Sequence, residues 1–363
     1  MTRIAFYGSS LLSSYWNGAA TYYRGLLQAL AMFGHDISFY EPDAFDRQAH
    51  RDIDPPGWAR VVVWEASARG LSRAAARAAE AEVVIKASGV GYEDDTLLQE
   101  VMGAARPGAL RIFWDVDAPA TLAAMQADPD DRLRRLLPSL DLVLTYGGGE
   151  PVVAAYRALG ARDCIPIYNA LDPESHFRTA PDARFEADLA FLGNRLPDRE
   201  ARVEEFFLRP ARALPEMRFV LGGSGWEAAT LPRNVRLLGH VPTREHNAFN
   251  VTPRMVLNVA RDSMAQTGFS PATRVFEAAG AGACLITDAW EGIEMFLEPG
   301  AEVLVAQDGD DVIRHLRATG ADAAREIGAR AQARVLAEHT YTDRAALVHG
   351  ILKNRIRQTE HAS

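Results

Sequence analysis

Two stretches of the chain hold residues whose types and spacing could do chemistry. Residues 268–294 read GFSPATRVFEAAGAGACLITDAWEGIE. Gly268, Phe269, Ser270 and Pro271 make a tight loop, with the proline tolerated early in a helix. The spacing predicts a helix over 273–281, ended by Gly280 and Gly282. The apolar run 283–287 reads as a short buried parallel strand closed by Asp288. A loop feeding a helix start offers free backbone N–H groups and a positive dipole end, which suits a phosphate. Glu277, one turn inside, is an acceptor of the kind that holds a pair of ribose hydroxyls. Arg274 either faces the phosphate or pairs with Glu277 one turn on. The second stretch is Asp115-Val116-Asp117, directly after the apolar run 110–114, with Lys86 ending another apolar run at 83–87.

The elements that position the second stretch form a regular series. Strands are expected at 3–7, 37–40, 61–64, 83–87, 110–114, 142–145 and 164–167, with helical segments between most of them. The opening order of strand, Gly8-Ser9-Ser10 turn, helix over 21–33, Gly34-His35-Asp36 and strand is a βαβ unit of a parallel sheet. His35 reads as a turn residue. In such sheets ligands lie at the carboxyl ends of the strands, so the loops there are the places for a second substrate. Gly8, Asn17 and Lys86 are the candidates on that side; Asn17-Gly18 lets the chain run close to a ligand. Lys86 is either a phosphate or substrate contact or a surface lysine. For Asp115 and Asp117 three accounts stand open: capping of the helix that starts near Pro119, a general base, or two carboxylates on a divalent metal. No GxGxxG occurs, so the dinucleotide fingerprint is absent.

Glu277-Ala278, the small residues after it, Gly282 and the apolar strand resemble the donor-nucleotide motif of GT-B glycosyltransferases. The whole chain resembles the CgeB-like (spore maturation protein-like) glycosyltransferases, whose second domain belongs with the family 1 and family 4 type enzymes. The resemblance implies an α/β fold of two Rossmann-like domains facing across a cleft. It places an acceptor-side domain at 1–172, a linker at 173–184, a donor domain at 185–340 and a final helix at 341–363 that crosses back to the first domain. It implies diphosphate contacts from Arg195 and Arg199, after the strand 188–192, and backbone approach to the nucleotide at Gly223 and Ser224. It also implies a base-bracketing loop at His240, and donor contacts from Phe269, Ser270, Arg274 and Glu277. Family 4 enzymes carry two glutamates separated by seven residues. Phe269 stands at the first of these positions here, so the resemblance carries only the ribose role onto Glu277.

The implied activity is transfer of a sugar from a nucleoside-diphosphate sugar to an acceptor that the sequence does not identify. Arginines and a helix start balance the leaving diphosphate, with no metal and no resident cofactor; Asp117 or Asp115 is the candidate base. A GT-B-type epimerase or hydrolase, and a non-catalytic nucleotide-sugar-binding protein, are the alternatives. The 363 residues suggest two domains, and a net charge of −9 argues against nucleic acid as a partner. Cys164 and Cys284 each sit in an apolar setting and read as small buried hydrophobes. No apolar run approaches the ~20 residues of a membrane span, and polar residues break the opening stretch as a signal peptide. A cytoplasmic protein is therefore expected.

Overall fold

The computed structural model describes residues 1–15, 17–227 and 229–362. The chain divides into two compact units, one formed by residues 1–168 with the C-terminal helix, the other by residues 169–340.

The first unit is built on seven strands: β1 Arg3–Tyr7, β2 Asp36–Asp43, β3 Arg60–Glu65, β4 Val83–Ala87, β5 Leu110–Asp115, β6 Leu142–Thr145 and β7 Cys164–Pro166. They form one parallel sheet in the order β3-β2-β1-β4-β5-β6-β7. β4 and β6 are buried at every residue. That is why they read as unbroken apolar runs rather than alternating ones: helices cover both faces of the sheet. Trp114, Tyr7 and Tyr22 are buried in its core. The C-terminal helix Tyr341–Ala362 belongs to this unit and lies along the helix Ala19–Met32. Their approach is close enough that a Cβ on Gly25 would fall 2.2 Å from the Tyr341 ring. His35 does more than turn the chain: its Nε2 is 3.0 Å from Nδ1 of His349 on that helix.

The second unit holds β8 Leu189–Leu192, β9 Phe219–Gly222, β10 Val235–Gly239, β11 Met255–Asn258, β12 Leu285–Asp288 and β13 Leu304–Ala306. These are also all parallel, in the order β10-β9-β8-β11-β12-β13. Phe191, Phe207, Phe219, Leu257 and Ile286 fill the core. Cys164 and Cys284 are buried free thiols, and burial pushes each up to about 12. Among the described residues no helix is long and apolar enough to cross a membrane.

Candidate functional site

In the second unit the expected loop and helix are present. Gly268 and Phe269 both take positive φ, 71° and 47°, and the Phe269 N–H donates to the Glu291 carbonyl at 2.6 Å. The Phe269 ring lies over Gly292, where a Cβ would stand 2.3 Å away. Ser270 and Pro271 are buried, and the Asn169 side-chain amide donates to the Pro271 carbonyl at 2.9 Å. The helix spans Thr273–Gly280, and Pro271 lies just outside it. Ala272 at its N-cap supplies no side-chain acceptor, so no side chain caps the first-turn N–H groups.

Glu277 is surrounded by base and cation but not tightly bonded by them. The Arg274 guanidinium is 3.7 Å and the His176 Nε2 3.8 Å from its carboxylate. Both are beyond hydrogen-bonding distance. Burial pushes the carboxyl up, but Arg274 foremost, then His176 and His246, outweigh it and hold it below the ordinary value. The Thr273 hydroxyl also bonds it, so Glu277 keeps its charge and its remaining lone pairs for a ligand hydroxyl. Three buried polar atoms around it have no hydrogen-bond partner among the described residues: Nδ1 of His176, Nδ1 of His246 and the Asn250 amide nitrogen. His246 Nε2 lies 3.2 Å from the Val241 carbonyl, which can only accept, so that nitrogen carries the proton and Nδ1 is left as an acceptor. Burial, then Arg274, pushes His246 down to about 4.

Arg199 joins this group. Its Nη2 donates to the Asn194 carbonyl at 2.6 Å, its Nε has no hydrogen-bond partner among the described residues, and burial followed by the charge of Arg274 pushes its pKa down. Both guanidiniums are half-buried, and the charge of Arg274 reaches Arg199. Arg195 is not part of it. It pairs with Glu200 and stacks over Trp226, 5.9 Å from the ring centroid. Gly223 and Ser224 serve the packing of two loops. A Cβ on Gly223, at φ 118°, would fall 2.2 Å from the Gly193 carbonyl oxygen, and Ser224 N–H donates to Asn194 Oδ1 at 3.0 Å. His240 is exposed beyond β10. Asp288 is locked by Arg202 at 2.6 Å and by the Ala260 N–H.

In the first unit several expected roles give way to structural ones. Asp115 is fully buried. Its carboxylate accepts from Tyr156 at 2.5 Å, Ser88 at 2.7 Å, Thr121 at 2.9 Å and the Asp117 N–H at 3.0 Å. Burial pushes it up against those four donors. With no face open it is a positioning residue, neither a base nor a metal ligand. Asp117 sits at the N-cap of Ala118–Ala127 but does not cap it, and it is half-buried at the carboxyl end of the sheet. Lys86 is neither a surface residue nor a free contact. It is 1% exposed, with its ammonium on Asp94 at 2.8 Å and the Ala87 carbonyl at 2.5 Å. Gly8 is required by the Phe39 ring, 2.7 Å from where its Cβ would be. Asn17 wires its own loop, donating to the Ser10 and Ser13 carbonyls and bonded to Ser9. A cavity of about 240 Å³ opens at the ends of β4 and β5, with Ser88, Gly89, Asp94 and Thr121 on its polar side and Phe113 and Met125 on its apolar side.

The sequence reading missed three residues. His176 lies in the polar stretch taken as linker. His246 and Asn250 are four apart on the helix His246–Val251, and that i,i+4 spacing was the signal that could have found them.

Residues 199–350 match the family model described as glycosyl transferase-like. No curated relative matches the sequence. Among solved structures, the chain is similar to Anabaena HepE in complex with UDP and glucose, at 14% identity, covering 98% of this chain and 100% of that one with a TM-score of 0.67. It is similar to sucrose-phosphate synthase from Thermosynechococcus elongatus, at 14% identity over 100% of both chains with a TM-score of 0.70. It is also similar to a glycosyltransferase involved in avilamycin A biosynthesis, at 18% identity over 98% of both chains with a TM-score of 0.63. Two parallel-strand α/β units in this order, matched end to end with those enzymes, give the chain the GT-B glycosyltransferase fold.

Proposed function

We propose that this protein is a CgeB-like glycosyltransferase of the cytoplasm that moves a sugar from a nucleoside-diphosphate sugar to a separate acceptor. The observation that carries the reading is the Glu277 carboxylate, held charged by Arg274 and His176 without being bonded to either, beside an uncapped helix start. In this reading Glu277 accepts from the two ribose hydroxyls. Arg199, Arg274 and the first-turn N–H groups of Thr273–Gly280 take the diphosphate. As the sugar leaves, negative charge grows on the terminal phosphate, and donors already fixed in place stabilise it without reorganising. No metal or resident cofactor is invoked; the nucleotide sugar is a co-substrate. The full-length likeness to HepE, solved with UDP and glucose, supports a uridine donor. The first unit supplies the acceptor subsite, and Asp117 is its candidate base, since Asp115 is sealed.

The experiment is a thermal-shift screen over nucleoside-diphosphate sugars, followed by a turnover assay on the donor that binds. A ligand that binds only the folded state raises the melting point. The wild type should show a shift that Glu277→Ala abolishes while its circular dichroism is unchanged. An undiminished shift in Glu277→Ala removes that residue from the site. Release of free sugar with no acceptor requirement would instead give the epimerase or hydrolase reading.

A further inference from the structure

Three of the four edge strands carry a feature that discourages pairing with another chain. β7 and β13 are three residues long, and β7 ends in Pro166. β10 carries the exposed Arg236 within it, and its register slips between Leu237 and Gly239. β3 carries exposed charge only at its two ends, Arg60 and Glu65. It reads Arg-Val-Val-Val-Trp-Glu and is bonded to β2 along its whole length, from Ser38 opposite Arg60 to Asp43 opposite Glu65. Its other side has no partner strand among the described residues. Val61, Val62 and Val63 are only half-buried.

The chain then crosses over the sheet's face as the helix Ala68–Ala75 and the short turn Ala76–Glu80, whose buried side packs on Tyr7, Tyr40 and Trp64. Arg69, Arg73 and Arg77 follow one another at every fourth position, all exposed. Between this row and the strand lies a groove of about 520 Å³, floored by Tyr40, Val62 and Trp64. Glu65 and Glu80 also line the groove; Arg77 pairs with Glu80, while Arg69 and Arg73 form no ion pair among the described residues, so the row keeps a net positive charge. In a chain of net charge −9 this is a local basic row beside an open backbone edge.

We propose that β3 and the Arg69–Arg73 row form a docking edge for an extended acidic segment of a partner protein, which joins the sheet as an added strand. The backbone edge of β3 supplies the pairing and the groove supplies the selectivity. The spacing agrees. Alternate side chains on a strand recur every ~6.7 Å, and every fourth residue on a helix rises ~6 Å. A segment with acidic residues at alternate positions therefore meets Arg69 and Arg73 in turn. A second copy of this chain is a poor occupant. A two-fold antiparallel pairing of β3 with itself keeps both arginine rows on the same face of the joined sheet, one facing the other.

The probe is a fluorescent peptide of about eight residues alternating valine and glutamate, titrated into the full chain at low salt, where exposed charges act over roughly 10 Å or more. It should bind, and binding should weaken by about tenfold in Arg69→Glu/Arg73→Glu, the effect of losing two exposed ion pairs. It should weaken with added salt and disappear when alternate peptide nitrogens are methylated. Both arginines are exposed, so the variants should keep the wild-type melting curve; Arg69→Ala/Arg73→Ala is the milder pair if the reversal does not. No binding at low salt, equal binding of a valine–lysine peptide, or indifference to methylation overturns the proposal. So does a dimer by sedimentation that Val62→Lys dissociates, which would give the edge to a second copy.

Discussion

The Arg274 guanidinium stands 3.7 Å from the Glu277 carboxylate on the same helix, near enough to fix its charge and too far to occupy it. Both groups are half-buried, so removing one strands the other. Arg274→Met should lower stability by about 2 kcal/mol, less than a bonded buried pair would cost. Arg274→Met/Glu277→Leu should recover most of that loss. A urea-denaturation double-mutant cycle reads the coupling; additive single effects would show that the two residues do not interact.

Asp115 and Asp117 should separate cleanly. Asp115→Ala leaves the Ser88 and Tyr156 hydroxyls and a backbone N–H without their acceptor, and Thr121 with only the Asp117 carbonyl, and should cost about 3 kcal/mol. Asp117→Ala should cost less than about 1 kcal/mol and act on turnover instead. Chemical denaturation beside initial-rate measurements checks both. A stable Asp115→Ala protein would show that those four donors find other partners.

Stability should fall as the solution is acidified from pH 7 to pH 4. Folding pushes His246 down to about 4. Between its ordinary value near 6.5 and that value, the unfolded chain takes up a proton that the folded chain refuses. The contribution is thus fully present above about pH 6.5 and is lost as pH falls through that window, by on the order of 3 kcal/mol. His35, also pushed down by burial and then by His349, acts in the same direction. His246→Gln should flatten the slope of unfolding free energy against pH; an unchanged slope would assign the acid sensitivity elsewhere.

Two glycines of the second unit should respond differently to the same substitution. Gly223→Ala puts a methyl 2.2 Å from a backbone carbonyl and should cost more than about 2 kcal/mol. Gly239→Ala, at φ 70° with open space around it, should cost only about 1 kcal/mol, the penalty of the left-handed backbone. Melting temperatures of the two variants decide this, and equal shifts would mean that the 193–195 and 223–225 loops are free to separate.

Much of the fold was legible from local pattern. All thirteen strands among the described residues lie on or beside apolar runs, because a parallel strand covered on both faces is apolar. β13, Leu304–Ala306, lies on such a run too but was not among the expected strands. The helix at 273–280 was equally plain, from its loop, its apolar spacing and the glycines that end it.

The sequence by itself determined which residue types stand at the ends of which strands, and so put Glu277, Arg274, Arg199, Asp115 and Asp117 in candidate places. Only the tertiary structure decided which of them remain open. Asp115 and Asp117 are two residues apart and alike in type, yet one is sealed by Ser88 and Tyr156, 27 and 41 positions away. Lys86 is closed by Asp94, and Arg195 is drawn to Glu200 while Arg199 turns to the Asn194 carbonyl. His176 joins Glu277 from about a hundred residues upstream. The physical reason is the same in each case. A charged side chain takes its role from the partners and solvent that folding leaves it, and those are set by contacts across the chain rather than along it.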